Sequence, residues 1–204
     1  MSSTFMHLIG PVPHIILSKH LIVSIGTEVY LTLPKGQLPP TGDDVATPTH
    51  VPGGGHCLLI PVSHYPTLST IPSSLAPSVL SELDTYKTAL AKLYSQHGAV
   101  PVCFEVSRNS GRGAGGHAHV QVIPVPEDKK DGVEEAFRAY GGMQMSWEKD
   151  PLGALSDAAE KGESYFRVDL PDGRKMVHIL KQGRPFNLQF GRSVGRSLPY
   201  FRIS

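Results

Sequence analysis

Gly115-Gly116-His117-Ala118-His119-Val120-Gln121-Val122-Ile123 alternates polar and small apolar side chains behind a pair of glycines. In an extended strand, successive side chains point to opposite faces, so His117, His119 and Gln121 share one face and Ala118, Val120 and Val122 the other. Neighbours on one face stand roughly 7 Å apart. The spacing therefore predicts a strand over His117 to Val125 that buries small apolar residues behind and carries two imidazoles and a carboxamide in front. The glycines let backbone approach a ligand closely, and their N–H groups can cradle phosphate oxygens. Such a strand needs a partner layer. Val79, Leu83, Tyr86, Leu90 and Leu93 recur at helical spacing and predict a helix from about Pro77 to His97. Ser73 or Ser74 is the expected cap, Pro77 suits the first turn, and Gly98 the end.

Further strands are expected at His20 to Ile25 and Glu28 to Leu33, joined at Gly26-Thr27, then at His56 to Ile60, stopped by Pro61, and at Val100 to Val106. Residues 34–56 are rich in Pro and Gly and read as a long loop. Gly132 to Tyr140 and Pro151 to Lys161 are helical candidates. Ser164 to Leu170 and Lys175 to Leu180 flank Pro171-Asp172-Gly173, a hairpin signal. Gln182 to Ser204 has enough apolar residues to pack. The fold class is α+β with an antiparallel sheet. The expected division is 1–126, carrying the sheet and long helix, and 127–204, a smaller α+β region packed on it.

A chain of 204 residues that is 40% hydrophobic and 18% charged can bury a core and is neither a disordered chain nor a coiled coil. No apolar run reaches the ~20 residues needed to span a bilayer, and Met1 to Pro13 lack a secretory signal pattern, so no membrane partner is expected. Two cysteines, Cys57 and Cys103, make no disulfide framework. The net charge of +1 hides an asymmetry: residues 1–126 are neutral, 127–163 net −5, and 174–204 carry seven Lys/Arg and no acid. That tail either meets phosphates or neutralises the acidic middle. Tyr165, Phe166, Phe186, Phe190, Tyr200 and Phe201 are its aromatic residues and those of the hairpin, most of them expected in the core.

Neutral imidazole can attack phosphorus, provided an acceptor holds its other nitrogen. Gln121 can hydrogen-bond a phosphoryl oxygen but cannot supply a proton as imidazolium can. Two alternatives compete with a phosphate-binding shelf. His117 and His119 could be buried, satisfied structural histidines, or they could ligate a metal with His64 as third donor, which would still need a further ligand.

The His-x-His-x-Gln run resembles the histidine-triad (HIT) superfamily with glutamine in the third position, and more closely the CwfJ family of splicing-associated proteins. The likeness to the first CwfJ C-terminal region is carried by His20-Leu21-Ile22-Val23-Ser24-Ile25-Gly26, Tyr30-Leu31, Lys35-Gly36, Leu58-Leu59-Ile60-Pro61-Val62-Ser63-His64-Tyr65-Pro66, Phe104-Glu105 and Gly116 to Pro126. Tyr165 to Gly173 and Phe186-Asn187-Leu188-Gln189-Phe190-Gly191-Arg192 resemble the second region. The resemblance implies a HIT-like fold and a nuclear protein of the late spliceosome and intron-lariat turnover. Its implied partners are branched or single-stranded intron RNA, spliceosomal proteins and the lariat debranching enzyme. It places the nucleophile position on His119, with His117 and Gln121 as the other motif members, and His56 near the phosphate or beneath the shelf. Together with the glycine turn and the tail, the expected phosphate or RNA contacts are His56, Ser110, Gly115, Gly116, Arg192 and Arg196. Family members carry Cys-x-x-Cys before the His-Leu-Ile-Val strand, which with later histidines resembles a zinc site. Here Met1 to Lys19 hold no cysteine, His64 and His117 are the surviving ligands, and neither metal nor other cofactor is expected.

Overall fold

The computed structural model describes residues 19–38, 51–108, 116–181 and 183–200. Among these residues, seven strands form one antiparallel sheet: β1 (Ile22–Ile25), β2 (Val29–Thr32), β3 (Cys57–Pro61), β4 (Ala99–Ser107), β5 (Val120–Pro126), β6 (Ser164–Asp169) and β7 (Lys175–Leu180). Their order is β1-β2-β3-β5-β4-β6-β7, so the hairpin of the second half continues the sheet of the first. Helices α1 (Ala76–Ser95), α2 (Val133–Gly141), α3 (Pro151–Lys161) and α4 (Phe190–Ser197) cover it on both faces. The α+β class and antiparallel sheet agree with the sequence.

One face buries Val29, Leu59, Cys103, Val120 and Val122 against Val79, Leu83, Leu90 and Tyr94 of α1. Farther along it, Tyr165 and Val177 pack on Ala158 of α3. The opposite face buries Val102, Phe104, Ile123, Val125 and Phe166 against Val133 and Phe137 of α2 and Phe190 and Val194 of α4. The side of β5 that bears Gln121 is therefore roofed by the second half of the chain rather than open along its length.

Three details differ from the sequence reading. The inward face of α1 ends on Tyr94, which is fully buried and donates its hydroxyl to Gly55 O at 2.5 Å, while Leu93 is 44% exposed. The N-cap position is Leu75 with no side-chain cap, so Ser73 and Ser74 do not cap the helix. Backbone closes that turn instead, since Leu75 and Ala76 N–H both bond to Pro72 O. Pro61 ends β3 as its last residue, paired with Val29.

Helix α4 went unseen because Phe190-Gly191-Arg192-Ser193-Val194-Gly195-Arg196-Ser197 has poor helix propensity. Tertiary contact overrides it. A Cβ on Gly191 would run into the Phe104 ring, and one on Gly195 into Ile123 Cδ1. The two glycines let α4 lie directly on the sheet.

On the α1 side, β6 carries an ionic cluster. Asp169 receives Arg167 at 2.9 Å, Lys87 of α1 at 3.0 Å and Lys175 of β7 at 3.3 Å. Burial alone would push its carboxyl up, but the three cations outweigh this and hold it well below the usual range.

Gly191→Val is expected to destabilise the fold by about 1–3 kcal/mol, because the side chain must enter a filled core. Ser193→Ala on the exposed side of the same helix should be near neutral. Urea titrations of both variants check this.

Candidate functional site

The ladders of β5 end before the histidines. Pairing with β3 stops at Leu59–Val120 and with β4 at Phe104–Gln121. The strand expected from His117 accordingly begins at Val120, and residues 116–119 continue beyond it. Ala118 N–H goes to Tyr65 O at 2.7 Å rather than to a strand. Ala118, Val120 and Val122 are buried on the α1 side as the alternation requires, whereas His117 and His119 are half-buried. The histidines thus stand off the end of the sheet, where neighbouring strands no longer enclose them.

His119 Nδ1 lies 2.9 Å from His117 O. A carbonyl only accepts, so Nδ1 carries the proton, and in the neutral ring the lone pair is on Nε2. His117 Nε2–H donates to Ser63 O at 3.2 Å. Burial, then the neighbouring His64 imidazole, lowers the pKa of His117. The His64 and His117 rings are 4.9 Å apart and tilted by 58°.

Gln121 is not at the surface; only 7% of it is exposed. Its Oε1 lies 3.1 Å from Nε2 of His56, which is fully buried at the start of β3. His56 Nδ1 accepts from Leu38 N–H at 3.1 Å, so Nε2 is the protonated nitrogen and donates to Gln121. This chain of bonds fixes the carboxamide, with its oxygen toward His56 and its NH₂ as the remaining donor. Burial first, and then the charge of Arg192, push the pKa of His56 down to about 4, so the ring is neutral at physiological pH. Arg192, half-buried on α4, donates to Gly36 O.

His56, Gln121 and Arg192 are therefore brought together, and His117 and His119 lie at the end of the same strand. Arg196 is exposed one turn beyond Arg192, and Gly116 is exposed before His117. Ser110 and Gly115 lie outside the described residues. Among the described residues, no group of three or more His, Cys, Asp or Glu suited to a metal occurs.

One charged group near the site was missed. Glu105 on β4 is 2% exposed, accepts from Tyr165 hydroxyl at 3.1 Å and Leu68 N–H at 3.3 Å, and is electrostatically coupled to Arg167 and His119. Burial raises its pKa against the opposing pull of Arg167 and its hydrogen bonds. A carboxylate in the middle of the apolar run Val100 to Val106 was the available signal.

A histidine whose folded pKa is depressed binds its proton more readily in the unfolded chain. Stability is therefore expected to fall as pH drops from about 6.5 to about 4, with His56 contributing on the order of 3 kcal/mol. Denaturation at pH values across that window should show this slope, and His56→Phe should flatten it.

Residues 14–138 match the family model described as "Protein similar to CwfJ C-terminal". The chain is 34% identical over 179 residues to the CWF19-like protein mug161 of Schizosaccharomyces pombe, covering 88% of this chain and 30% of that one. It is 33% identical over 182 residues to the CWF19-like protein 1 of Homo sapiens, covering 87% and 29%. The chain thus spans about a third of the length of these curated relatives. Among solved structures, a galt-like protein from Arabidopsis thaliana is similar at 15% identity and a TM-score of 0.41, covering 86% of this chain and 85% of that one. The match over residues 14–138, more than half of the sequence, makes this chain a member of the CwfJ C-terminal family.

Proposed function

We propose that this chain is a nuclear, splicing-associated binding factor that holds intron RNA, branched or single-stranded, by a phosphate at the His119–Gln121 end of β5. In this reading it works with spliceosomal proteins and assists the lariat debranching enzyme. The observation that carries it is the fixed orientation of Gln121. With its oxygen engaged by His56, the group offers an oxyanion its NH₂, and the Arg192 guanidinium stands close enough to act on the same imidazole. A neutral donor with a nearby cation suits a phosphodiester, which carries one negative charge. The CwfJ resemblance supports the RNA context. Among the described residues, no helix is long and apolar enough to cross a membrane.

The tautomer of His119 favours a second reading, a nucleotidyl hydrolase or transferase. Its Nε2 lone pair is free to attack phosphorus while His117 O holds Nδ1–H. The bond formed would be Nε2–P, the bond broken that from phosphorus to the leaving oxygen, and that oxygen needs a proton. Gln121 cannot give one in the way a third histidine could. This weighs the site toward binding over turnover. A variant of this reading is an RNA nuclease in which His117 and His119 act as general acid and base, with no covalent adduct.

Branched RNA and labelled nucleotides distinguish these. As a binder, His119→Ala should retain RNA within about threefold and no protein should carry covalent label. Arg192→Glu should weaken retention about tenfold at low salt, since a phosphate contact is lost and a repulsion introduced. Covalent label that vanishes in His119→Ala would establish the enzyme instead, as would label-free cleavage lost in that variant; absence of RNA retention at low salt would end the binding proposal.

A further inference from the structure

Four of the seven basic residues of the tail fall into two groups. Arg174 pairs with Glu134 and Asp172, and Lys175 with Asp169, so these two neutralise acids within the molecule. Lys181 and Arg184 are exposed and form no ion pair among the described residues. The turn between them is closed by Arg184 N–H bonding to Lys181 O at 3.2 Å, with Gly183 at a φ of +79°, and both residues line one cavity of about 670 Å³. Tyr140, Met143, His178 and Phe186 are also in its wall, and none of its described lining residues is acidic.

The aromatic groups here are more than core packing. Phe186 is half-buried on top of the Phe166–Phe190 cluster, with ring centroids 5.6 and 6.1 Å away. The His178 ring is 6.4 Å from it and inclined by only 34°. His178 is itself held by Nδ1–H donating to Ser146 O at 2.8 Å. Tyr140 is 51% exposed. A cavity of this size, walled by rings and rimmed by two cations, is built for a flat ring attached to an anion.

We infer that this cavity is a second RNA subsite, distinct from the His119–Gln121 end of β5, which takes one nucleobase of a single strand against Phe186 and Tyr140 and the adjoining phosphate on Lys181 and Arg184. The inference rests on the RNA-binding reading above for the identity of the polymer. Phe190 of α4 lines the cavity, and Arg192 two residues later donates to Gly36 O and lowers the pKa of His56 by its charge. The helix therefore links the two sites on one face of the sheet. An acidic peptide would satisfy the cations but would leave the rings without a flat partner.

The full chain provides its own probe. Its one tryptophan, Trp147, lies 6.4 Å from His178, so filling the cavity changes the surroundings of the fluorophore. Titration with uridine monophosphate or a dodecauridylate strand at low salt should change Trp147 fluorescence. The double variant Lys181→Glu/Arg184→Glu should bind the strand at least about tenfold more weakly, and its salt dependence should lose about 0.7 in slope, the one phosphate contact that both cations share. Tyr140→Ala, at a half-exposed position, should weaken the strand about fivefold or more through lost stacking. His119→Ala and Arg192→Glu should keep the fluorescence response to the mononucleotide. If the double variant binds the strand as wild type does while Arg192→Glu does not, the cavity is no RNA subsite and the β5 site stands alone. If the cavity variants lose binding and Arg192→Glu does not, the β5 site fails and the cavity stands. A response to oligoglutamate peptide but not to the strand would overturn the inference in favour of a protein partner.

Discussion

Strand β4 is hydrogen-bonded along both edges, to β5 on one side and β6 on the other, and everything functional hangs from that arrangement. Through β5 it sets the height at which the ladders stop and the histidines project. Through β6 it brings the second half of the chain into the same sheet. The pairing is reinforced across the α1 face, where Glu105 of β4 accepts from Tyr165 of β6 and Asp169 of β6 receives Lys87 of α1. Buried charges of this kind are costly to separate, because removing one partner leaves the others desolvated and unpaired. They favour one register over others that the apolar residues alone would tolerate.

The opposite face shows what that junction makes available. Once β6 lies beside β4, the chain beyond β7 returns over the sheet as α4, and the glycines of α4 allow it to sit against Phe104 and Ile123. Arg192 then acts on an imidazole that the first half of the chain has buried. The His56–Gln121 pair is consequently assembled by distant segments: Leu38 fixes the tautomer, the residue just before β3 is the histidine, β5 supplies the carboxamide, and α4 adds the charge. The neutrality of His56 follows from burial and from that charge together.

Much of this was legible in order along the chain. The glycine hinge between β1 and β2, the Pro171-Asp172-Gly173 turn, the long helix and the period-two run into β5 all follow from local geometry. The run misled in one respect. Alternation shows which side chains share a face, but not where a strand loses its partners, and here pairing with β4 ends at Gln121 and with β3 at Val120. Leu93 and Tyr94 illustrate the same limit on a helix: adjacent positions differ by about 100° of rotation, and the side that is buried depends on the neighbours.

The basic tail could not be divided from sequence, since seven like charges give no sign of which have acidic partners. Only folding pairs Arg174 and Lys175 and leaves Lys181 and Arg184 at the rim of a cavity. By itself, the sequence determined the antiparallel α+β class, the faces of β5 and the residue types that can meet a phosphate, because these depend on periodicity and functional groups. Tertiary structure alone decided the tautomer of His56, the burial of Gln121, the placing of Arg192 and the roofing of the sheet by α4, because each depends on segments far apart in the chain meeting in space.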